Sequence, residues 1–273
     1  MADVGGGAHA PYGGALTEVV SFGANPGRLR MFRHVPEGLS AHAPLVVALH
    51  GCGQNALGYA IGCGWIQLAD RYGFALLCPE QRQQNNFNTC FNWFFPDHVA
   101  RGGGESESIR EMIAFMMDDH AIDASRVFIS GLSAGGAMSV AMLAAYPELF
   151  AAGASICGLA YRCADNLQQG LGAMMQGRKR TPAEWGDKVR AASDYQGKWP
   201  PLSIWQGTED RIVNPSNAEA LAQQWIDVQG LDAGDVLKAT RGPITRSIWG
   251  SEEEPAVELN VVAGMAHAVP VAL

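Results

Sequence analysis

The segment Gly131-Leu132-Ser133-Ala134-Gly135 holds a serine with a glycine two positions to either side. An apolar run precedes it and an alanine- and methionine-rich run follows, so a strand should lead into a helix here. The spacing matches G-x-S-x-G, in which a sharp turn exposes a serine hydroxyl at the positive end of a helix. The pattern predicts Ser133 as a nucleophile, with Gly136 letting the helix pack close to the sheet. A joint that needs its glycines for packing alone is the alternative.

A nucleophilic serine needs a general base and an acid that orients the base, here in the chain order serine, acid, histidine. Of the seven histidines, only His267 follows both Ser133 and an acid at a strand end, and it lies just past the last expected strand. Glu209 and Asp210 follow the expected strand "PLSIWQG". Asp210 is the predicted acid, because D-x-x-V-x-P is typical of a turn whose backbone holds a short carboxylate. Glu209 is the competing candidate.

Acyl transfer also needs two backbone N–H donors for the oxyanion. Ala134, directly after the nucleophile, is the first predicted donor. In "VVALHGCGQN" the chain can turn after His50-Gly51 and direct the N–H of Cys52 toward the acyl oxygen. We expect His50 to shape this loop by hydrogen bonding and not to act as a base. Further ligands at metal-like spacing are missing around His50 and Cys52, so we predict neither a metal site nor a cofactor.

The composition is that of a globular protein and argues against a nucleic-acid partner. The 273 residues are 48% hydrophobic and 17% charged, with a net charge of −8. We therefore predict one domain spanning residues 1–273. No apolar stretch is long enough to cross a bilayer, and the first fifteen residues lack the basic and apolar regions of a secretory signal. The six cysteines contain no C-x-x-C pair, so disulfides or buried thiols are expected.

Short apolar runs alternate with helical patterns, which predicts the α/β class, with a mostly parallel sheet covered by helices on both faces. The seven expected strands are "LRMFRHV", "PLVVALHG", "FALLCPE", "RVFISG", "AAGASICG", "PLSIWQG" and "VELNVVAG". In "ESIREMIAFMMDDH" an apolar stripe has helical spacing, with acids expected on the far side: Ile109, Met112, Ile113 and Met116. An elaborated loop at about 81–104 and a cap-like insertion at about 163–200 fit no simple element, and loops this long are often functional.

Eight segments together resemble the polyhydroxybutyrate depolymerase-like esterases of the α/β-hydrolase superfamily. They run from about residue 25 to the C-terminus: "LHGCGQ", "GFALLCPEQ", "CFNWF", "RGGGE", "GLSAGGAMS", "YPELFAAGAS", "SIWQGTEDRIVNPSN" and "GMAHAVP". The resemblance implies an α/β-hydrolase fold with a nucleophile elbow. It implies a serine carboxylic-ester hydrolase without a cofactor, acting on short-chain esters and hydroxybutyrate-type oligomers or polyesters. Ser133, Asp210 and His267 would form its triad, with Cys52 and Ala134 as oxyanion donors.

The resemblance also extends to substrate contacts, with Trp93 of "FNWF" lining the acyl or polymer groove and Gln54 and Trp205 as further substrate-binding residues. It suggests a secreted protein, although the chain carries no recognisable signal. One departure is "ICGLAYRCA", where Cys157 stands in place of an expected small residue. A separate polymer-binding domain is also missing, which favours soluble oligomers and small esters over crystalline polyester.

Two other functions remain open at this point. Related sequences that release feruloyl or acetyl groups from plant-wall carbohydrate share the same segments, and the amide- and aromatic-rich loop 81–104 suits a sugar as well as a polyester. A non-catalytic binding module on the same fold is the second alternative, which the presence of all three triad candidates disfavours. Cys52 and Cys90 lie on loops that should both reach the rim of the site. We predict a disulfide between them, with free thiols as the alternative.

Overall fold

The structure, a computed structural model, describes residues 14–271. The prediction about a secretory signal falls mostly on residues 1–13 and lies outside this range. Within it, ten strands form one sheet: β1 Thr17–Val19, β2 Arg30–His34, β3 Leu45–Leu49, β4 Ala75–Glu80, β5 Val127–Leu132, β6 Ala152–Ile156, β7 Leu202–Gly207, β8 Leu237–Arg241, β9 Ile244–Gly250 and β10 Pro255–Val262.

The helices among the described residues are α1 Ala56–Gly62, α2 Trp65–Tyr72, α3 Pro96–Val99, α4 Gly104–His120, α5 Ala134–Ala145, α6 Leu167–Gln176, α7 Pro182–Arg190 and α8 Ser216–Val228. A single 3₁₀ turn, Pro147–Leu149, follows α5. None of the helices in the described range is both long enough and apolar enough to cross a membrane.

The sheet has the strand order β1-β2-β4-β3-β5-β6-β7-β10-β9-β8. The six central strands, from β4 to β10 in this order, pair in parallel, and the two strands at each edge pair antiparallel. All seven expected strands are present, so the prediction of a mostly parallel sheet is confirmed. The strands β1, β8 and β9 were not predicted. Every residue of β8 is exposed, so it carries no apolar signal.

Side chains alternate between the two faces of the sheet, and each face has its own apolar core. On β3, Leu45, Val47 and Leu49 belong to the larger core, whereas Val46 and Ala48 belong to the smaller one. Helices α4, α5, α7 and α8 contribute to the larger core, and α1 and α2 to the smaller. Burial on both faces explains why the central strands read as continuous apolar runs.

Helix α4 anchors the long loop before it through a buried carboxylate. The predicted apolar stripe is confirmed, and Glu105, which precedes the predicted helical segment, has a fully buried side chain. Its carboxylate accepts hydrogen bonds from the Gln81 side chain (2.6 Å) and from the backbone N–H (2.8 Å) and side chain (2.6 Å) of Asn92. These partners come from the loop at 81–104, so Glu105 ties that loop to the body of the molecule.

The insertion at 163–200 is largely helical. The Asn166 side chain caps α6, and a reciprocal capping box between Thr181 and Glu184 starts α7. Helix α7 packs against α8, where the Gln224 amide donates to the carbonyl of Trp185 at 3.0 Å. Helix α6 lies instead beside the carboxyl ends of the central strands, next to the candidate site.

Candidate active site

Ser133 sits on a strained turn between β5 and α5. Its backbone has φ 58° and ψ −118°, a region that residues with a side chain rarely occupy. The turn leaves no room for larger neighbours, because a Cβ on Gly135 would lie 2.3 Å from the carbonyl oxygen of Leu49. At Gly136 a Cβ would lie 3.0 Å from the carbonyl oxygen of Ile156, which confirms the predicted close packing of this helix on the sheet. The Ser133 side chain therefore stands at the N-terminus of α5 with its position set by the backbone.

His267 and Asp210 meet beside this turn. Asp210 follows β7 and His267 follows β10, and these neighbouring parallel strands bring their carboxyl ends to one edge of the sheet. The His267 Nδ1 lies 2.8 Å from Asp210 Oδ2. The loops after β7 and β10 are also joined by two backbone–backbone hydrogen bonds, from Thr208 N–H to the Val262 carbonyl (3.1 Å) and from Glu209 N–H to the Met265 carbonyl (3.0 Å).

Asp210 is buried and fully hydrogen-bonded. Its Oδ1 accepts the backbone N–H groups of Ile212 and Val213, both at 2.9 Å, and its Oδ2 also accepts the Gln206 amide at 3.0 Å. Burial disfavours the charged carboxylate, but the hydrogen bonds from His267, Val213 and Ile212 outweigh burial and lower the pKa of Asp210 below its ordinary value. The group is therefore ionised at neutral pH and favours the His267 tautomer that carries its proton on Nδ1.

Glu209 has a different environment from its neighbour. Its side chain is exposed and makes no hydrogen bond with another described residue. The geometry thus favours Asp210 over Glu209 as the partner of the histidine, in line with the turn-based prediction.

The two predicted oxyanion donors lie in the turn after β3 and at the start of α5. Ala134 is the first residue of α5, so its N–H has no acceptor within the helix. Cys52 lies in the turn after β3, and its N–H donates to no other residue in the described part of the chain. The predicted disulfide is confirmed, since the sulfur atoms of Cys52 and Cys90 are bonded. It links the turn that holds one donor to the loop at 81–104.

His50 is a structural residue, as predicted. Its ring is fully buried, with Nδ1 2.8 Å from the carbonyl oxygen of Gly51, and Nε2 accepts the N–H of Gln81 at 3.1 Å. Burial lowers the pKa of His50, which favours the neutral ring that this pair of contacts requires.

A cavity of about 730 Å³ opens in front of Ser133 and His267. The turn after β3, including Cys52 and Gln54, forms one wall. Other walls come from the two elaborations of the fold, with the apolar side chains of Phe87, Trp93, Phe94, Leu167, Leu171 and Met174. The loop after β7 adds Ile212. Helix α6 of the insertion thus covers the site, which sequence reasoning anticipated only as a cap-like segment without assigning residues.

The three predicted substrate-binding residues have different outcomes. Trp93 is largely buried and its ring lines the cavity, and Gln54 lines it too while accepting the N–H of Gly51 at 2.8 Å. Trp205 does not line the cavity. Its indole donates to the hydroxyl of Ser203 at 3.0 Å, and its ring packs with the smaller core. The reason is the alternation of side chains along β7, which directs Trp205 to the face opposite Ile204.

Sequence reasoning missed two residues around Asp210. One is Gln206, whose amide is buried against the carboxylate and whose Oε1 has no hydrogen-bond partner within the described residues. The other is Cys157, which directly follows β6 and is fully buried near the Asp210–His267 pair. Burial and the negative charge of Asp210 raise the pKa of the Cys157 thiol to about 12, so it is protonated at neutral pH. The only signal for Cys157 was its departure from the expected small residue.

A strained serine between a strand and a helix, together with a histidine and an acid on later strand ends of a mostly parallel sheet, defines an α/β-hydrolase. Within that superfamily, the chain belongs to the Esterase PHB depolymerase family, whose sequence profile matches residues 31–247.

Three known proteins are similar to this chain. The chain is 43% identical to poly(3-hydroxyalkanoate) depolymerase C of Paucimonas lemoignei, over 94% of this chain but only 62% of that protein. It is 35% identical to feruloyl esterase B of Thermothelomyces thermophilus, over 86% of this chain and 83% of that protein. The solved structure of an acetyl xylan esterase from Aspergillus awamori is similar with a TM-score of 0.87 and 29% identity, covering 94% of this chain and 96% of that one.

Proposed function

We propose that this protein is a serine carboxylic-ester hydrolase with Ser133 as nucleophile, His267 as general base and Asp210 as the acid that orients the base. The observation that carries the proposal is the meeting of the strained Ser133 turn with a His267–Asp210 hydrogen bond of 2.8 Å at a single cavity. Family membership supports it independently.

The reaction follows from these positions. Because Asp210 holds the proton of His267 on Nδ1, Nε2 is free to accept the proton of the Ser133 hydroxyl as its oxygen attacks the ester carbonyl. His267 then protonates the leaving alkoxide, and an acyl group remains on Ser133. A water molecule activated by the same Nε2 attacks this acyl-enzyme and releases the acid.

The developing oxyanion needs hydrogen-bond donors that are already in place. In this proposal the N–H groups of Cys52, in the turn after β3, and of Ala134, at the start of α5, supply these donors, and the positive end of that helix adds to their effect. The Cys52–Cys90 disulfide holds the first of these turns in position.

The direct test is the variant Ser133→Ala, assayed on p-nitrophenyl butyrate. We expect its kcat to fall by at least about 10⁴-fold with an unchanged thermal midpoint, because only the nucleophile is removed. Ser125→Ala is the matched control, since Ser125 lies on an exposed turn where its hydroxyl donates to Asp123. Wild-type protein without esterase activity would favour a binding module, and an active Ser133→Ala variant would refute the assigned nucleophile.

For the substrate, we propose short-chain esters and soluble hydroxyalkanoate oligomers. The depolymerase of Paucimonas lemoignei supports this class. The cavity also fits it, because its apolar walls at Trp93, Leu171 and Ile212 suit a short alkyl backbone next to the reacting carbonyl.

A second candidate is an ester whose alcohol or acyl part is carried by a carbohydrate. A polar trough of about 770 Å³ adjoins the cavity, and the two share the lining residues Gly53, Gln54, Phe87 and Asn88. The trough adds the amides of Gln83 and Gln84, and the ring of Phe87 is 81% exposed at the boundary, an arrangement suited to hydroxyl groups and a sugar face. The relatives named feruloyl esterase and acetyl xylan esterase support this candidate.

A comparison of rates distinguishes the hydroxyalkanoate substrates from the carbohydrate esters. We expect kcat/KM for hydroxybutyrate trimers to exceed that for methyl ferulate and for acetylated xylo-oligosaccharides. A Gln83→Ala, Gln84→Ala double variant should leave the ratio between trimer and p-nitrophenyl butyrate unchanged. A higher rate on the carbohydrate esters, lowered selectively by the double variant, would instead establish the second candidate.

A further inference from the structure

The fold gathers three metal-binding side chains that are far apart in sequence. The ligand atoms of Cys157, Asp210 and His267 all lie within 4.8 Å of one another. They come together because β6, β7 and β10 are neighbours in the sheet and each residue follows the end of its strand. Spacing along the sequence could not reveal this group.

The donor set has the chemistry of a zinc site. Thiolate sulfur, imidazole nitrogen and carboxylate oxygen are the three ligand types that Zn²⁺ binds in proteins, at distances of about 2.0–2.3 Å. An ion bound between them needs only small shifts, because ligands around tetrahedral zinc are themselves separated by about 3–4 Å. Hard cations such as Mg²⁺ prefer all-oxygen sites and do not match this set.

We propose that Cys157, Asp210 and His267 form an inhibitory site for Zn²⁺ and softer divalent cations. The ion would bind Cys157 Sγ, an Asp210 oxygen and His267 Nδ1, in place of the hydrogen bond between His267 and Asp210. Of the three ligands, His267 lines the cavity and is partly exposed, whereas Asp210 and Cys157 are buried, so the ion would have to pass the His267 ring.

Binding disables the base by moving its proton. In the free protein the neutral His267 ring carries its proton on Nδ1, toward Asp210. Zinc on Nδ1 leaves that proton on Nε2, so the ring keeps its charge state but can no longer accept the proton of Ser133. The thiol of Cys157 releases one proton to solvent as its sulfur becomes a ligand. Inhibition thus rests on the proposed role of His267, whereas binding of the ion does not.

The test compares two cysteine variants. Cys63 is the matched control, because it is the partly exposed free cysteine and lies away from the cavity on the α1–α2 turn. We expect wild type and Cys63→Ser to bind one zinc ion by equilibrium dialysis and to lose kcat on p-nitrophenyl butyrate as the ion binds. EDTA should restore activity, and Mg²⁺ should have no effect. In Cys157→Ser, zinc affinity should fall by about 100-fold. The zinc concentration that halves the rate, measured against that variant's own metal-free rate, should rise by the same factor.

A spectroscopic measurement covers the case in which Cys157→Ser fails to fold. Co²⁺ added to the Cys63→Ser protein should produce the near-ultraviolet charge-transfer band of a thiolate ligand, with one ion per chain. Absence of that band, or equal zinc inhibition of Cys157→Ser and wild type, would overturn the proposal. Zinc binding that requires Cys157 in a protein without esterase activity would uphold the site and refute only the proposed function.

Discussion

The pair Asp210→Asn and Glu209→Gln tests which acid orients the histidine. Asp210 receives donors on both oxygens, with the N–H groups of Ile212 and Val213 on Oδ1 and those of His267 and Gln206 on Oδ2. An asparagine has only one oxygen to offer. If that oxygen faced His267, its NH₂ group would oppose two backbone donors, that of Val213 buried and that of Ile212 partly buried, at about 1–3 kcal/mol for a buried unsatisfied group.

The opposite orientation of the amide in the Asp210→Asn variant is therefore favoured. The asparagine oxygen keeps the two backbone donors and its NH₂ group faces His267, while the Gln206 amide can turn its free Oε1 toward it. His267 must then accept on Nδ1 and carry its proton on Nε2, the wrong tautomer for a base. We expect kcat/KM to fall by about 10⁴-fold, or about 5 kcal/mol of transition-state stabilisation.

The assay is kcat/KM on p-nitrophenyl butyrate, with thermal unfolding to confirm that both variants fold. Glu209→Gln changes an exposed carboxylate, so its effect should stay below about twofold. An Asp210→Asn variant within tenfold of wild type, or a larger loss in Glu209→Gln, would show that Asp210 does not orient the base.

Three further predictions concern the framework around the site. Replacing both Cys52 and Cys90 by serine removes a disulfide between residues that are 38 positions apart in the sequence. Because the unfolded chain is then less constrained, the free energy of unfolding should fall by about 4 kcal/mol, measured by urea denaturation. Equal urea midpoints would contradict this. Gly135→Ala places a Cβ 2.3 Å from a strand-end carbonyl, so it should abolish soluble folded protein or activity; a fully active variant would refute the tight turn. The Glu105 carboxylate, whose Oε1 lies 3.3 Å from His98 Nδ1, raises the pKa of His98, so the stabilisation by this pair is complete below about pH 6.5 and is lost as pH rises through the folded-state pKa. The thermal midpoint difference between wild type and His98→Gln should therefore shrink above that pH; a constant difference would exclude this linkage.

Much of the fold could be predicted because its central strands are buried on both faces and therefore form unbroken apolar runs in the sequence. Strand β8 could not be predicted, since an exposed edge strand needs no apolar residues. The alternation of side chains along a strand also explains why the prediction that Trp205 binds substrate was wrong. A strand with apolar residues on both faces does not reveal which parity faces the site, so Trp205 and Ile204 could not be assigned to their faces.

The triad candidates could be found from sequence because each follows a strand end, where local signals are strong. The residues that form the cavity walls could not be found from sequence. Helix α6 contributes to these walls because of the course of the whole insertion, which no local sequence pattern reveals. Glu105 shows the same limit. Its burial depends on partners such as Gln81 and Asn92 from a distant loop, and nothing in the helical pattern of α4 distinguishes it from the exposed acids nearby.

The fastening of loop 81–104 has a consequence for the entropy of substrate binding. A free loop that must settle around its substrate loses about 1–2 kcal/mol of backbone entropy per residue at the moment of binding. Here the loop is ordered when the chain folds. The Glu105 carboxylate holds it by hydrogen bonding to Asn92, and the Cys52–Cys90 disulfide joins it to the turn after β3. The walls that carry Phe87 and Trp93 are therefore ordered before any ligand binds, so the free energy of binding is not spent on ordering them.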